Sequence, residues 1–242
     1  DMAVDFNLDV PLQPEFATQI QSTTKVTLGN GSVTMPAQNI DVTGVNAQVN
    51  YDLNKGLSAD SLSGEFLGGK LTGSITTLQG VDVETGGKNS RVKLAFAGDT
   101  SVAAVNDWRP LPIFDFMSGP GQYKTSIDIP LSGDAIRLPH LSITSPLKQV
   151  RINLPEPFGK QAGEARPLKL DFQLGQKPLP LDIQYSTLGN VALLVGGEGV
   201  ERGAIHFGEG KARLPDRDIL KVSGILGRFD DSEWLSAFQK EP

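Results

Sequence analysis

The sequence predicts a mainly β protein built from a largely antiparallel sheet with a few short helices, one of them at the C-terminus. Three observations carry this. Apolar and polar residues alternate with period two along much of the chain, glycine-containing turns separate the alternating runs, and helical patterning is scarce. Composition points the same way: the 242 residues include 27 glycines and 16 prolines, and only 21% are charged. Many turn-formers with few charges suit a turn-rich β protein better than a helical one.

The elements follow in order. Val45, Ala47, Val49, Tyr51 and Leu53 alternate with Asn46, Gln48, Asn50 and Asp52, the pattern of a strand with one dry and one wet face. Leu71, Gly73 and Ile75 repeat it against Thr72, Ser74 and Thr76, and Val92, Leu94 and Phe96 continue it. Tyr123, Ile127, Ile129 and Leu131 alternate with Lys124, Ser126 and Asp128. Leu168, Leu170, Phe172 and Leu174 alternate with Lys169, Asp171 and Gln173; Leu181, Ile183 and Tyr185 face away from Asp182 and Gln184; Leu220 and Val222 close the series. Turns are expected at Gly29-Asn30-Gly31, Asn54-Lys55-Gly56, Gly68-Gly69, Gly86-Gly87, Ser132-Gly133-Asp134 and Gly189-Asn190, where residues tolerate positive φ. The spacing implies about 14–16 strands, mostly antiparallel because most links are too short for crossovers.

Helix is expected in three places. Residues 100–108 read as two turns capped by Thr100 or Ser101 and stopped by Pro110, and residues 114–117 as a short turn. Residues 231–239 read as the clearest helix: Asp230 is the N-cap, Glu233 completes a capping box, and Trp234, Leu235 and Phe238 share one face. The chain therefore divides into a β-rich segment over 1–99, a helical connection over 100–121 and a second β-rich segment over 122–242.

The absence of cysteine excludes thiol catalysis, zinc–thiolate sites and disulfide scaffolds. A net charge of −6 argues against nucleic acid, which needs a basic face. The two histidines, His140 and His206, stand apart and make neither a triad nor a metal set. The glycine run over 196–203 lies between two strands, so it is a hairpin loop rather than a phosphate cradle. Asp82, Glu84 and Gly86 begin like a calcium loop, but the twelfth position is Lys93, where a carboxylate is required. Asp230, Asp231 and Glu233 are the acidic first turn of a helix. Neither enzymatic activity nor a cofactor or metal is expected. No run of about 18 apolar residues offers a transmembrane helix. The opening DMAVDFNLDV starts within an alternating pattern, so the expectation is a segment of a longer protein.

One-sided strands in such numbers must close as a sandwich or barrel, or curl as an open sheet around a ligand. Four stretches bear on that choice. VTGVNAQVNYDLNKGLSADSLSGEFLGGKLTGSI (42–75), AAVNDWRPLPIFDFMSGPGQY (103–123), LPEPFGKQAGEARPLKL (154–170) and LPDRDILKVSGILGRFDDSEWLSAF (214–238) resemble, in order, units of the AsmA-like family, nearest its YhdP branch. The LPEPFGK segment and the Asp-Trp helix are the specific parts.

The resemblance implies an elongated, curled sheet forming an open hydrophobic groove. It also implies the periplasmic part of an inner-membrane-anchored protein of the Gram-negative envelope, one that conducts phospholipid toward the outer membrane without an enzymatic step. Its implied partners are phospholipids, neighbouring segments of the same long chain, and proteins at the two membranes. The candidate groove floor is Val45, Ala47, Val49, Tyr51, Leu71, Ile75, Leu94, Phe96, Ile127, Ile129, Leu170, Phe172, Ile183 and Tyr185. The alternative is an envelope scaffold or outer-membrane assembly module that offers sheet edges to other β proteins.

Overall fold

The computed structural model describes residues 1–13, 20–81, 88–131, 138–197, 199–227 and 232–234. Its strands are β1 (Met2–Asp9), β2 (Gln21–Met35), β3 (Ile40–Asp52), β4 (Gly56–Phe66), β5 (Gly69–Val81), β6 (Lys88–Ser101), β7 (Met117–Ser118), β8 (Pro120–Pro130), β9 (His140–Ser145), β10 (Arg151–Ile152), β11 (Leu168–Gln173), β12 (Leu179–Tyr185), β13 (Gly189–Gly196), β14 (Gly199–Phe207) and β15 (Leu220–Gly224). Among the described residues, thirteen strands form one sheet in the order β1-β2-β3-β4-β5-β6-β8-β9-β11-β12-β13-β14-β15, which is not closed into a barrel; β7 and β10 pair separately. Neighbours from β1 to β6, β9 with β11, and β11 to β14 pair antiparallel, as do β7 and β10, whereas β14 and β15 pair in parallel. Residues 208–219 supply the crossover for that pair, with the dozen or so residues such a link needs.

Local chemistry explains the elements. Helix α1 (Val102–Trp108) starts where Ser101 Oγ accepts the Ala104 N–H at 3.1 Å. Residues Pro112–Phe116 form a 3-10 turn, with proline at its start. The turn after β3 is held by Asp52, whose carboxylate accepts the N–H groups of Asn54 (2.8 Å) and Lys55 (3.0 Å). These bonds hold its pKa below the ordinary carboxylate value. Between β4 and β5, Leu67 and Gly68 both take positive φ, the geometry of a tight hairpin.

Two expected turns move. Gly29-Asn30-Gly31 does not end a strand: β2 runs through it as a bulge, with the register shifting between Leu28 and Gly31. Asn30 takes φ 53°, and its N–H finds Asn46 Oδ1 at 3.1 Å, so a side chain satisfies the donor that leaves the ladder. The reversal comes later, at a 3-10 turn over Pro36–Gln38. Gly189-Asn190 already belong to β13, and the turn lies at residues 186–188. Gly86-Gly87, Ser132-Gly133-Asp134 and Asp82–Glu84–Gly86 lie outside the described residues. So does most of the expected final helix, of which residues 232–234 are helical.

The chain forms two compact units, Asp1–Gly98 with Ser126–Pro139, and Asp99–Thr125 with His140–Pro242. In the first unit few apolar side chains are fully buried; Ala59 and Val92 are the described examples. In the second, a core of Val102, Leu147, Val150 and Ile152 packs with Phe114, Met117, Leu154, Leu168 and Tyr185. In the first unit, Gly73 lies under a ring: a Cβ there would stand 2.4 Å from Phe96 Cδ1. Gly73→Ala should therefore displace Phe96 and destabilise the unit by about 1–3 kcal/mol, as overpacking does. Urea unfolding read by circular dichroism checks this.

Candidate functional site: an apolar sheet face in each unit

Register decides which side chains share a face. In the first unit, Met2, Leu28, Ala47, Leu62, Gly73 and Phe96 stand opposite one another across six successive strands. Beside this row run Val4–Val26–Val49 and Ala59–Ile75–Leu94, then Phe6–Thr24–Tyr51–Leu57. Val45 and Leu71 lie on the same face, opposite Gly31 and Gly64. Strand β8 joins β6 through the Leu131 N–H to Ser90 C=O bond (2.8 Å). Arg91 and Asp128 approach to 3.8 Å on the opposite face, so alternation places Ile127 and Ile129 with Val92 and Leu94. The rows carry no charged side chain. A cavity of about 600 Å³ lies at the Phe6–Tyr51 end of the strands, and its lining mixes Phe6, Tyr51 and Leu57 of the apolar rows with the charged Asp5, Lys25, Asp52 and Lys55.

The second unit repeats the arrangement. Ile143, Leu170, Ile183, Val191, Ile205 and Val222 form one row, and Leu141, Phe172, Leu181, Leu193, Gly203 and Leu220 the next. Leu179, Val195 and Val200 begin a third toward the β11–β12 turn. The opposite face is polar: Lys169 pairs with Asp171 at 2.8 Å, and His140 lies 3.7 Å from the same carboxylate.

The row at the other end of these strands is different. Leu168, Tyr185 and Phe207 belong to it, and the chain covers it with the loop over 146–167. Tyr185 donates its hydroxyl to Phe158 C=O at 3.0 Å. Burial raises the Tyr185 pKa, against the opposing pull of Arg166. The Phe158 ring meets Phe207 edge-on at 5.4 Å and Trp234 at 5.7 Å. LPEPFGK and the Asp-Trp helix, distant in sequence, therefore touch.

The loop is braced from within. Lys160 is 4% exposed, and its ammonium donates to Val150 C=O and to Gln161 C=O (3.1 Å). Burial lowers its pKa, with Glu164 opposing. Arg166 bonds Pro157 C=O and Glu164 (2.6 Å). Gly159 passes so close that a Cβ would stand 2.0 Å from Leu154 O.

The crossover between β14 and β15 takes the polar face. Asn190, on that face, donates to Gly210 C=O at 2.9 Å and accepts the Ala212 N–H. His206 holds the same connection, Nε2 to Glu209 O at 2.8 Å and Nδ1 to Ser223 Oγ at 3.0 Å. Ala192 and Ala204, next on that face, are almost wholly buried. In sequence His206 is only a lone histidine that stands apart from His140, and the clamp is not legible there. The nearest signal is Gly208 and Gly210 before a stretch without strand alternation.

A family model described as YhdP protein matches residues 1–242. The chain belongs to the YhdP family. No curated protein and no solved structure matches it. Membership relates this YhdP-family chain to lipid transport in the cell envelope. Among the described residues no helix is long and apolar enough to cross a membrane, and no three His, Asp or Glu side chains group to hold a metal.

Two substitutions test the bracing. Lys160→Met strands two carbonyl acceptors and should cost about 2 kcal/mol or more in thermal or urea unfolding. His206→Ala should cost about 1–2 kcal/mol for its two hydrogen bonds. An unchanged midpoint would show that the crossover is held by other contacts.

Proposed function

We propose that the apolar face is a conduit along which phospholipid acyl chains travel between the inner and outer membranes, in the periplasmic part of an inner-membrane-anchored protein. The observation that carries this reading is the set of cross-strand rows, apolar in both units and without a charged member. Met2, Val4 and Phe6 are 71%, 55% and 64% exposed, so among the described residues this part of the face has no cover. Exposed apolar area of this kind marks an interaction surface. Each buried CH₂ is worth about 0.8 kcal/mol, which holds an acyl chain on the face. Like rows follow one another, so movement exchanges one apolar contact for another. No enzymatic step is required.

A second reading, an envelope scaffold acting through sheet edges, draws on β1 and β15. Each ends the sheet and shows exposed apolar residues, Leu220 and Val222 on β15 among them. Open edges accept strands from other proteins.

Adjacent residues of β11 separate the readings. Phe172 stands in an apolar row and Asp171 on the polar face. Phe172→Asp puts a carboxylate where chains must pass, at several kcal/mol if it is dry and unpaired. The expected outcome is a folded protein with reduced bound phospholipid and reduced transfer, while Asp171→Asn changes both little. Lipid content by mass spectrometry, alongside thermal melts, checks this. A folded Phe172→Asp protein with full lipid content and transfer defeats the conduit reading at this position.

A further inference from the structure

Resting on the conduit reading, we propose that Gly73 and Gly203 are positioning residues for lipid movement: each lets its large neighbours lie down on the sheet, so that an acyl chain passes over them without a step. The two glycines stand within apolar rows, Gly73 between Leu62 and Phe96 in the first unit and Gly203 between Leu193 and Leu220 in the second. In both, the space a Cβ would take is already filled. At Gly73 it holds the Phe96 ring, through Cδ1 and Cε1, with Ala95 O beside them. At Gly203 it holds Leu193 Cδ2, 2.7 Å from the Cβ position, and Leu220 Cδ1 approaches to 3.2 Å from the neighbouring strand. Gly31 is filled in the same way by the Leu28 methyls, at 2.8 and 2.9 Å. A side chain this close rests on the glycine's own main chain rather than standing off the pleat.

Alternation alone would not produce this. Strand side chains stand roughly perpendicular to the sheet, so a phenylalanine in a row that also holds Ala47 and Gly73 would rise above them as a knob. The missing Cβ gives the ring a place to lie, and Phe96 is half-buried there. The height of the floor matters more to movement than to holding. An acyl chain gains contact with each methylene laid on the face, so a knob that lifts one methylene during passage slows that step roughly fourfold. A chain at rest lies beside the knob and keeps its contacts. Holding and passage are thus separate properties: the apolar rows supply the first, and the glycines supply the second by levelling those rows.

Gly73→Ala and Gly203→Ala test this, each beside a double variant that also removes the displaced side chain, Gly73→Ala/Phe96→Ala and Gly203→Ala/Leu193→Ala. Transfer is read as movement of fluorescent phosphatidylethanolamine from donor to acceptor vesicles of phosphatidylcholine. Holding is read as phosphatidylethanolamine bound per chain by mass spectrometry, and folding by circular dichroism melts. Each single variant should hold as much lipid as the unchanged chain but transfer it roughly fourfold more slowly. Each double variant should recover a rate within about twofold of the unchanged chain while melting no higher than its single partner. A purely structural role gives the opposite order, because the double variant loses packing as well and is then the slowest. Transfer that follows the melting midpoint, single variants that transfer at the full rate, or lipid content that falls in step with transfer each overturn the levelling role and leave the conduit standing. An unchanged chain that neither holds nor transfers lipid overturns the conduit reading and this proposal with it. The two glycines lie in different units, so if one variant does not fold the other decides.

Discussion

Everything in this chain depends on strand pairing that keeps apolar side chains on one face. Because side chains alternate, a slip of one residue would send a whole row to the wrong side. Insertions are therefore absorbed locally. Ala59 and Leu62 are three residues apart, which strict alternation would put on opposite faces, yet they stand opposite Ile75 and Gly73 on a single face because the register shifts between them. The shifts around Gly31 do the same for β2 and β3. These bulges preserve the face at the cost of ladder regularity, and side chains such as Asn46 take up a backbone donor so exposed.

A face kept apolar also restricts where the rest of the chain can run. The crossover over 208–219 must cross one side of the sheet to make β15 parallel to β14. It is tied by Asn190 and His206 to the polar side, where Ala192 and Ala204 leave space. The loop over 146–167 does the reverse and occupies the apolar side, but only its last row. The two connections thus take opposite sides of the sheet in this unit.

Much of this was legible in the sequence, and what was not has physical causes. Alternation is a local signal, so Val45–Ala47–Val49, Leu94–Phe96 and Ile183–Tyr185 could be assigned to faces from neighbours alone. The Ser101 cap was equally local. The bulge at Gly29-Asn30-Gly31 was not, because a positive-φ residue serves a turn or a bulge equally well and the choice rests on Asn46, sixteen residues away. Nor could period two separate Tyr185 from Ile183. Both alternate correctly, but Tyr185 lies under a loop whose position is set by Lys160, Arg166 and Phe158. The sequence resemblance singled out LPEPFGK and the Asp-Trp helix; that they meet at one ring is a tertiary fact.

A floor along which chains slide needs more than apolar residues; it must also hide the polar atoms it contains. A charge on such a face would act as a trap or a barrier of several kcal/mol, and even a free hydroxyl would hold water. Two hydroxyls on this face, those of Thr77 and Tyr185, are used by the backbone. Thr77 Oγ1 accepts the Leu57 N–H at 2.8 Å and donates to Leu57 C=O at 2.9 Å, so it completes the backbone ladder where β4 meets β5. Tyr185 spends its proton on Phe158 C=O. Both atoms hold structure, which on the conduit reading lowers their pull on a lipid. The same bonds fix the strands and the covering loop, so on the conduit reading stability and conduction place the same demand on these two groups.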